Sequence, residues 1–210
     1  YPTDAIAEVR RAAAALCPRP PAARFAVQDI IEITRELLPP EGVLFSETGV
    51  FVLMLEHLWR APRPDTFFGT SAGRSMGLMV PAALGGKLAR PDLPMVGIGG
   101  DGSLLMRIGE LEAFARTGAA VPLVVVNDQA LGTIQARQKH RGLPRWGLEL
   151  AEVRFADVAR GFGIEGTTVR SPEEYRAALG AALRADRATL IDARVDPEAY
   201  RDSFVATSGA

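Results

Sequence analysis

Two acidic residues, Asp101 and Asp128, each follow an apolar run that reads as a buried strand. The first run is Val96-Gly97-Ile98-Gly99-Gly100-Asp101-Gly102-Ser103, and the second ends Val124-Val125-Val126-Asn127-Asp128. Carboxylates in such places are hard oxygen donors, and hard donors beside phosphate suit magnesium. The glycines flanking Asp101 let the backbone approach a ligand closely. A helix beginning at Ser103 turns its free amide groups toward an anion. Together these features suit a divalent cation holding a diphosphate. The carboxylates bind the metal, and the metal and the amides bind the phosphate. The carbonyl of Ala130, at the entry to the next helix, offers a third oxygen. A helix cap explains one acid after a strand, but a cap needs no glycine on each side of it.

Gly97-x-Gly99-x-x-Gly102 also has the spacing of a dinucleotide fingerprint. Gly97 lies inside the apolar run and not after it. Asp101 would then meet a pyrophosphate as a bare carboxylate, which is repulsive. A nicotinamide-dependent oxidoreductase is therefore the weaker reading.

The elements that must position these residues alternate along the chain. The pattern predicts a helix over 4–16, then a Pro-rich linker over 17–24 with Pro18, Pro20 and Pro21. Helices are expected over about 26–38, 50–59, 74–88, 130–139, 153–162 and 172–185. One further helix between the two acidic strands places Leu104, Ile108, Leu111 and Ala115 on one face. Strands are expected at 43–45, 95–99, 121–126, 167–169 and 189–192, with a short extended piece at Phe67-Phe68-Gly69. Apolar strands alternating with helices predict an α/β fold, a doubly wound, mostly parallel sheet with helices on both faces. In such sheets ligands bind beyond the carboxyl ends of the strands, where Asp101 and Asp128 fall.

Bulk properties narrow the function. A net charge of -1 in 210 residues gives no electrostatic case for nucleic acid or an anionic membrane. No apolar run approaches the roughly 20 residues of a membrane span. The single cysteine, Cys17, rules out an intramolecular disulfide and fits a reducing, cytoplasmic setting. The chain opens Tyr1-Pro2-Thr3-Asp4, with no signal-peptide pattern and no initiator Met, which reads as a piece of something longer.

With these residues in view, the chain resembles the thiamine diphosphate enzymes. Their signature is Gly-Asp-Gly, then about two dozen residues, then a paired Asn; here it reads Gly100-Asp101-Gly102-Ser103 through Asn127-Asp128. The order of segments is similar to the acetolactate synthase and benzoylformate decarboxylase group. Ser75-Met76-Gly77-Leu78-Met79-Val80-Pro81-Ala82-Ala83-Leu84-Gly85 resembles the stretch lining the thiazolium there. Leu131-Gly132-Thr133-Ile134 and the closing Leu190-Ile191-Asp192-Ala193-Arg194-Val195-Asp196-Pro197 also fit.

The resemblance implies a fold that binds thiamine diphosphate and Mg2+ over residues 25–203. Residues 1–24 would form the exit from a middle domain, and 204–210 a tail. It implies that Asp101, Asp128 and the Ala130 carbonyl ligate magnesium. Gly100, Gly102 and Ser103 would touch the diphosphate, with Leu131, Gly132 and Thr133 alongside. Glu47, Thr48 and Gly49 would lie near the phosphates. Met76 would be the apolar wedge that bends the cofactor, and Ser71, Ala72 and Gly73 would line the pyrimidine side. The implied activity is decarboxylation of a 2-keto acid, followed by protonation or by attack on a second carbonyl. The catalytic Glu would come from a pyrimidine domain across an oligomer interface, so this chain would be half a site, inactive alone, in a homo-oligomer.

Two departures stand out. The family usually has Asn where this chain has Asp128, and it often has polar phosphate-binding residues where this chain has Val50, Phe51 and Val52. The latter keep open a non-catalytic cofactor-binding or regulatory subunit of the same fold. His57, in an apolar helix, reads as a packing residue, and His140, in Gln138-Lys139-His140-Arg141, as part of a solvated loop.

Overall fold

Parallel strands need a crossover between them, and the expected helices supply it. The structure, a computed structural model, describes residues 3–70 and 73–196. Among the described residues six strands form one sheet: β1 Val43–Ser46, β2 Phe67–Phe68, β3 Met95–Gly100, β4 Pro122–Asn127, β5 Glu165–Val169 and β6 Thr189–Arg194. Their order is β2-β1-β3-β4-β6-β5, and every pairing is parallel. The helices are α1 Thr3–Leu16, α2 Val27–Leu37, α3 Val50–Leu58, α4 Met79–Ala89, α5 Asp101–Arg107, α6 Leu111–Thr117, α7 Gly132–His140, α8 Phe155–Gly161 and α9 Pro172–Ala182.

Side chains alternate across a strand, so each central strand feeds both faces of the sheet. Val96, Ile98, Val124, Val126, Ile191 and Ala193 face one core with α2, α3 and α9. Met95, Leu123, Val125 and Leu190 face the other, with α4, α6 and α8. Burial on both faces is why these strands are continuously apolar.

Two expected helices differ from the pattern. The helix expected over 74–88 begins at Met79, because Gly77 sits at φ 76°, outside helical space. The helix expected between the acidic strands is two helices, α5 and α6, joined by a single 3-10 turn at Ile108–Glu110. Arg107, at φ -136° and ψ 24°, leaves the helical region just before that turn. The turn lets Leu104 and Leu111 both reach the core. The 17–24 segment is packed onto the main domain. Cys17 and Ala23 are buried in its core, and Arg19 makes a two-point ion pair with Asp29 at 2.6 and 2.9 Å. Asp29 also accepts from the Ala26 N–H and so starts α2. Residues 197–210, including the expected tail, lie outside the described residues. No helix among the described residues is long and apolar enough to cross a membrane.

One polar contact locks α2 to α9. Tyr175 is fully buried, and its hydroxyl lies 2.7 Å from that of Thr34, which is equally buried. Tyr175→Phe removes one partner and strands the other. The expected cost is about 1–3 kcal/mol, read as a lower midpoint in urea unfolding with an unchanged slope.

Candidate functional site

The sheet reverses its winding between β1 and β3: β1 leads to β2 on one side, and β3 leads to β4 on the other. A crevice opens beyond the strand ends at such a reversal. The loops after β1, β3 and β4 enclose a cavity of about 160 Å³ there. Thr48 and Gly49 line it from β1, Gly100 to Ser103 from β3, and Asp128, Ala130, Leu131, Gly132 and Thr133 from β4. Met76 closes one side. Residues scattered over the sequence thus converge because three neighbouring parallel strands end together.

Asp101 is the first residue of α5 and only 4% exposed. Its two oxygens accept from the Gly102 N–H at 2.7 Å and the Gln129 N–H at 2.8 Å. Burial, then the charge of Asp128, pushes its carboxyl up to about 7, against the pull of the backbone amides. Two carboxylates facing one cavity repel each other, and a divalent cation between them reverses that penalty. A carboxylate has about four lone-pair sites, so these backbone bonds leave Asp101 room to meet such an ion. Asp128 accepts from the Ala130 N–H at 3.3 Å, a turn that sets Ala130 beside it in the cavity lining. Among the described residues no group of three His, Cys, Asp or Glu side chains gathers to hold a metal. Two carboxylates and a carbonyl leave the remaining positions of an octahedral ion to phosphate and water.

Glycines shape the floor of the cavity. A Cβ on Gly132 would stand 2.8 Å from Asp128 Oδ2 and 3.0 Å from Val50. A Cβ on Gly102 would meet Leu131 at 3.0 Å and Met76 at 3.7 Å. Both positions are open only because the side chain is hydrogen. The donor set and this cradle fit a magnesium diphosphate.

Glu47 takes a different place from the one expected. It is 1% exposed and lies outside the cavity lining, accepting from the Leu78 and Met79 N–H groups at 2.8 and 3.1 Å. It serves the start of α4, where unsatisfied amides and the helix dipole attract a carboxylate. Gly73 is also not among the lining residues. Ser71 and Ala72 lie outside the described residues. Val50, Phe51 and Val52 are buried core residues of α3, and the first two also form the apolar wall of the cavity. Their apolar character is therefore explained by packing. Val126 and Ile134 line the cavity as well; Ile134 lay in the quoted stretch after Asp128 but carried no polar signal. His57 donates from Nδ1 to the Leu53 carbonyl at 2.6 Å within its own helix, as a packing residue does.

Burial pushes the Glu47 carboxyl up from its ordinary 4.5, although backbone amides at Met79 and Leu78 oppose the shift. The folded chain thus holds that proton to higher pH than the unfolded chain does. Stability is lost as pH rises from about 4.5 toward the raised value. Glu47→Gln cannot ionise, so its melting temperature should vary less over that interval than that of the parent. Parallel thermal melts from about pH 4 upward check this.

The glycine spacing of a dinucleotide fingerprint has another origin. A Cβ on Gly97 would press on the Met79 sulfur at 2.5 Å, and one on Gly99 would collide with Glu47. These glycines let α4 and Glu47 pack against β3, and neither touches the cavity.

Behind the cavity runs a line of buried polar groups that sequence reading left unassigned. Asp192 on β6 is fully buried, accepts from Asn127 Nδ2 at 2.7 Å and pairs with Arg194 at 3.0 Å. Burial pushes its carboxyl up, while Asn127 and Arg194 pull it down. The available signal was an acid inside the apolar run Leu190-Ile191-Asp192-Ala193.

Comparison with known proteins identifies the family and the fold. Residues 47–193 match the family described as thiamine pyrophosphate enzyme, C-terminal TPP binding domain. An acetolactate synthase large subunit of Parasynechococcus marenigrum is 32% identical over 173 residues, covering 80% of this chain and 27% of that protein. A 3D-(3,5/4)-trihydroxycyclohexane-1,2-dione hydrolase of Bacillus subtilis is 30% identical over 176 residues, covering 80% of this chain and 28% of that protein. The chain thus spans less than a third of these curated relatives. A solved thiamine diphosphate-dependent 4-hydroxybenzoylformate decarboxylase of Rhodococcus jostii RHA1 shares the fold. Its TM-score is 0.78 at 24% identity, over 85% of this chain and 34% of that one. The family match extends from Glu47 at the end of β1 to Ala193 in β6 and takes in every strand end around the cavity, so the chain belongs to the thiamine pyrophosphate enzymes, as their C-terminal TPP-binding domain.

Proposed function

We propose that this chain anchors the magnesium diphosphate end of thiamine diphosphate, as half of an active site in a decarboxylase or carboligase acting on a 2-keto acid in the manner of acetolactate synthase. The observation that carries the reading is the pair Asp101 and Asp128. They stand at the ends of adjacent strands across a cavity floored by Gly102 and Gly132. The cavity is about 160 Å³, below the roughly 300–1,000 Å³ of a complete small-molecule site. That size supports a half-site, completed by a pyrimidine domain on the same polypeptide or on another chain of an oligomer.

In this reading Asp101, Asp128 and the Ala130 carbonyl hold the cation. Gly102 and Ser103 at the start of α5 would lie against the diphosphate, the Gly102 N–H being taken by Asp101, and Met76 would press on the cofactor from the side. Bound thiamine diphosphate supplies the electron withdrawal that lets a bond beside a carbonyl break. The protein orients reactants and keeps water out; here Val50, Phe51, Leu131 and Ile134 make the apolar part of that wall. A non-catalytic role draws its support from Val50 to Val52; packing in the core accounts for their apolar character without it.

Titration calorimetry with thiamine diphosphate tests the proposal, run once with magnesium and once with a chelator. Heat is expected only with magnesium. Equal heat in both runs would mean that the cation is not part of the site. No heat at millimolar cofactor would overturn the anchoring role.

A further inference from the structure

The buried polar line behind the cavity has a direction, and that direction ends at the metal loop. Arg194 donates to Val153 O at 2.8 Å and to Asp192 Oδ2 at 3.0 Å, so the carboxylate cannot rotate away. A carboxylate only accepts, so the Asn127 amide must turn its NH2 toward Asp192, as found at 2.7 Å. This orients the Asn127 oxygen the other way, where it accepts the Gln129 N–H at 3.2 Å. The same N–H donates to Asp101 Oδ2 at 2.8 Å. Gln129 sits at φ 57°, a left-handed conformation that disfavours a side chain and needs outside support. That conformation separates Asp128 from the Ala130 carbonyl.

We infer that Asp192, through Asn127, is the positioning residue of the metal loop. It holds Gln129 in its left-handed turn and so sets where Asp101, Asp128 and the Ala130 carbonyl can meet a cation. The inference rests on the proposed cofactor role of the cavity for its consequence, not for its geometry. Asp192 touches neither cavity nor ligand; it acts only through Asn127 and the Gln129 N–H. Outer partners of this kind change metal affinity by about 10–100-fold when replaced.

Two variants test it. Asp192→Asn keeps the shape but lets either amide flip, and Asn127→Ala cuts the line while leaving the Asp192–Arg194 pair intact. The first readout is hydrogen exchange at the Gln129 amide by NMR, with no cofactor present. Exchange should rise about tenfold or more in either variant, while Val125 and Ile191 in the adjoining strands stay protected. The second readout is the magnesium concentration that half-saturates thiamine diphosphate binding, expected to rise about 10–100-fold. Unchanged Gln129 exchange in both variants overturns the inference. So does a uniform loss of protection across β4 and β6, which would make Asp192 a general stabiliser. Faster Gln129 exchange in the variants, with a parent that itself binds no magnesium, would uphold the positioning role and remove the cofactor reading instead.

Discussion

Asp101→Ala should abolish magnesium-dependent binding of thiamine diphosphate, weakening it by about a hundredfold or more, ~2.8 kcal/mol. The expectation follows from the shape of the site. Asp101 is the more buried of the two acids and the one whose oxygens are aimed by backbone amides from both β3 and β4. Removing it deletes a ligand, and it also leaves the Gln129 N–H with Asn127 alone. Asp128→Asn is the informative contrast. It keeps an oxygen at the same place and removes the charge that pushes the Asp101 carboxyl up, so binding should stay within about fivefold of the parent (roughly 1 kcal/mol). Calorimetry on both variants, with circular dichroism to check the fold, decides the matter. Equal losses in the two would make charge, and not ligand geometry, the source of affinity. No loss in Asp101→Ala would move the cation elsewhere.

The second large effect comes from a residue with no side chain. Gly132→Ala places a methyl group 2.8 Å from Asp128 Oδ2 and 3.0 Å from Val50. Val50 is held in the core of α3 and yields little, so the Asp128 carboxylate must move. A ligand displaced by a fraction of an ångström no longer meets octahedral geometry. Magnesium affinity should fall about tenfold, roughly 1.4 kcal/mol. The cost in folding should be small, because Ala is the better helix former at the first position of α7 by up to about 1 kcal/mol. Binding and stability should therefore part company: a clear loss in calorimetry and a melting temperature within about 5 °C of the parent. A melting temperature that collapses with affinity would show that Val50, and not Asp128, takes the strain.

The parallel sheet was legible because its strands are apolar on both faces, a composition that few other elements need. The meeting of Asp101 and Asp128 at one cavity was legible for a related reason. An acid directly after such a strand, flanked by glycines, has no packing purpose. The start of α4 was not, since the residues over 74–88 suit a helix and only the left-handed Gly77 ends it at Met79. Glu47 was misplaced because chain proximity to Thr48 and Gly49 says nothing of which way a side chain turns. Successive residues leaving a strand point to opposite sides, and Glu47 turned back against Gly99 to meet α4. Asp192 carried a visible signal, but its partner Asn127 is 65 residues away, beyond what local pattern can connect. Val50 to Val52 could not be resolved from pattern: they pack in the core, and Val50 and Phe51 also line the cavity.

The place of β6 in the sheet also bears on how the molecule is made. β6 is the last strand in the chain among those described, yet it lies between β4 and β5, and β5 has no other neighbour. A growing chain emerging from the ribosome can pair β1, β2, β3 and β4, and then must wait. Until residues 189–194 are out, β4 keeps an open edge of unpaired backbone groups, a surface prone to association with other chains. Asn127, at the end of that edge, has no Asp192 to hold it during the wait. The loop that carries Asp128 and Gln129 is thus among the last parts to be ordered during synthesis, and a nascent chain stalled before Thr189 should present the cavity unformed.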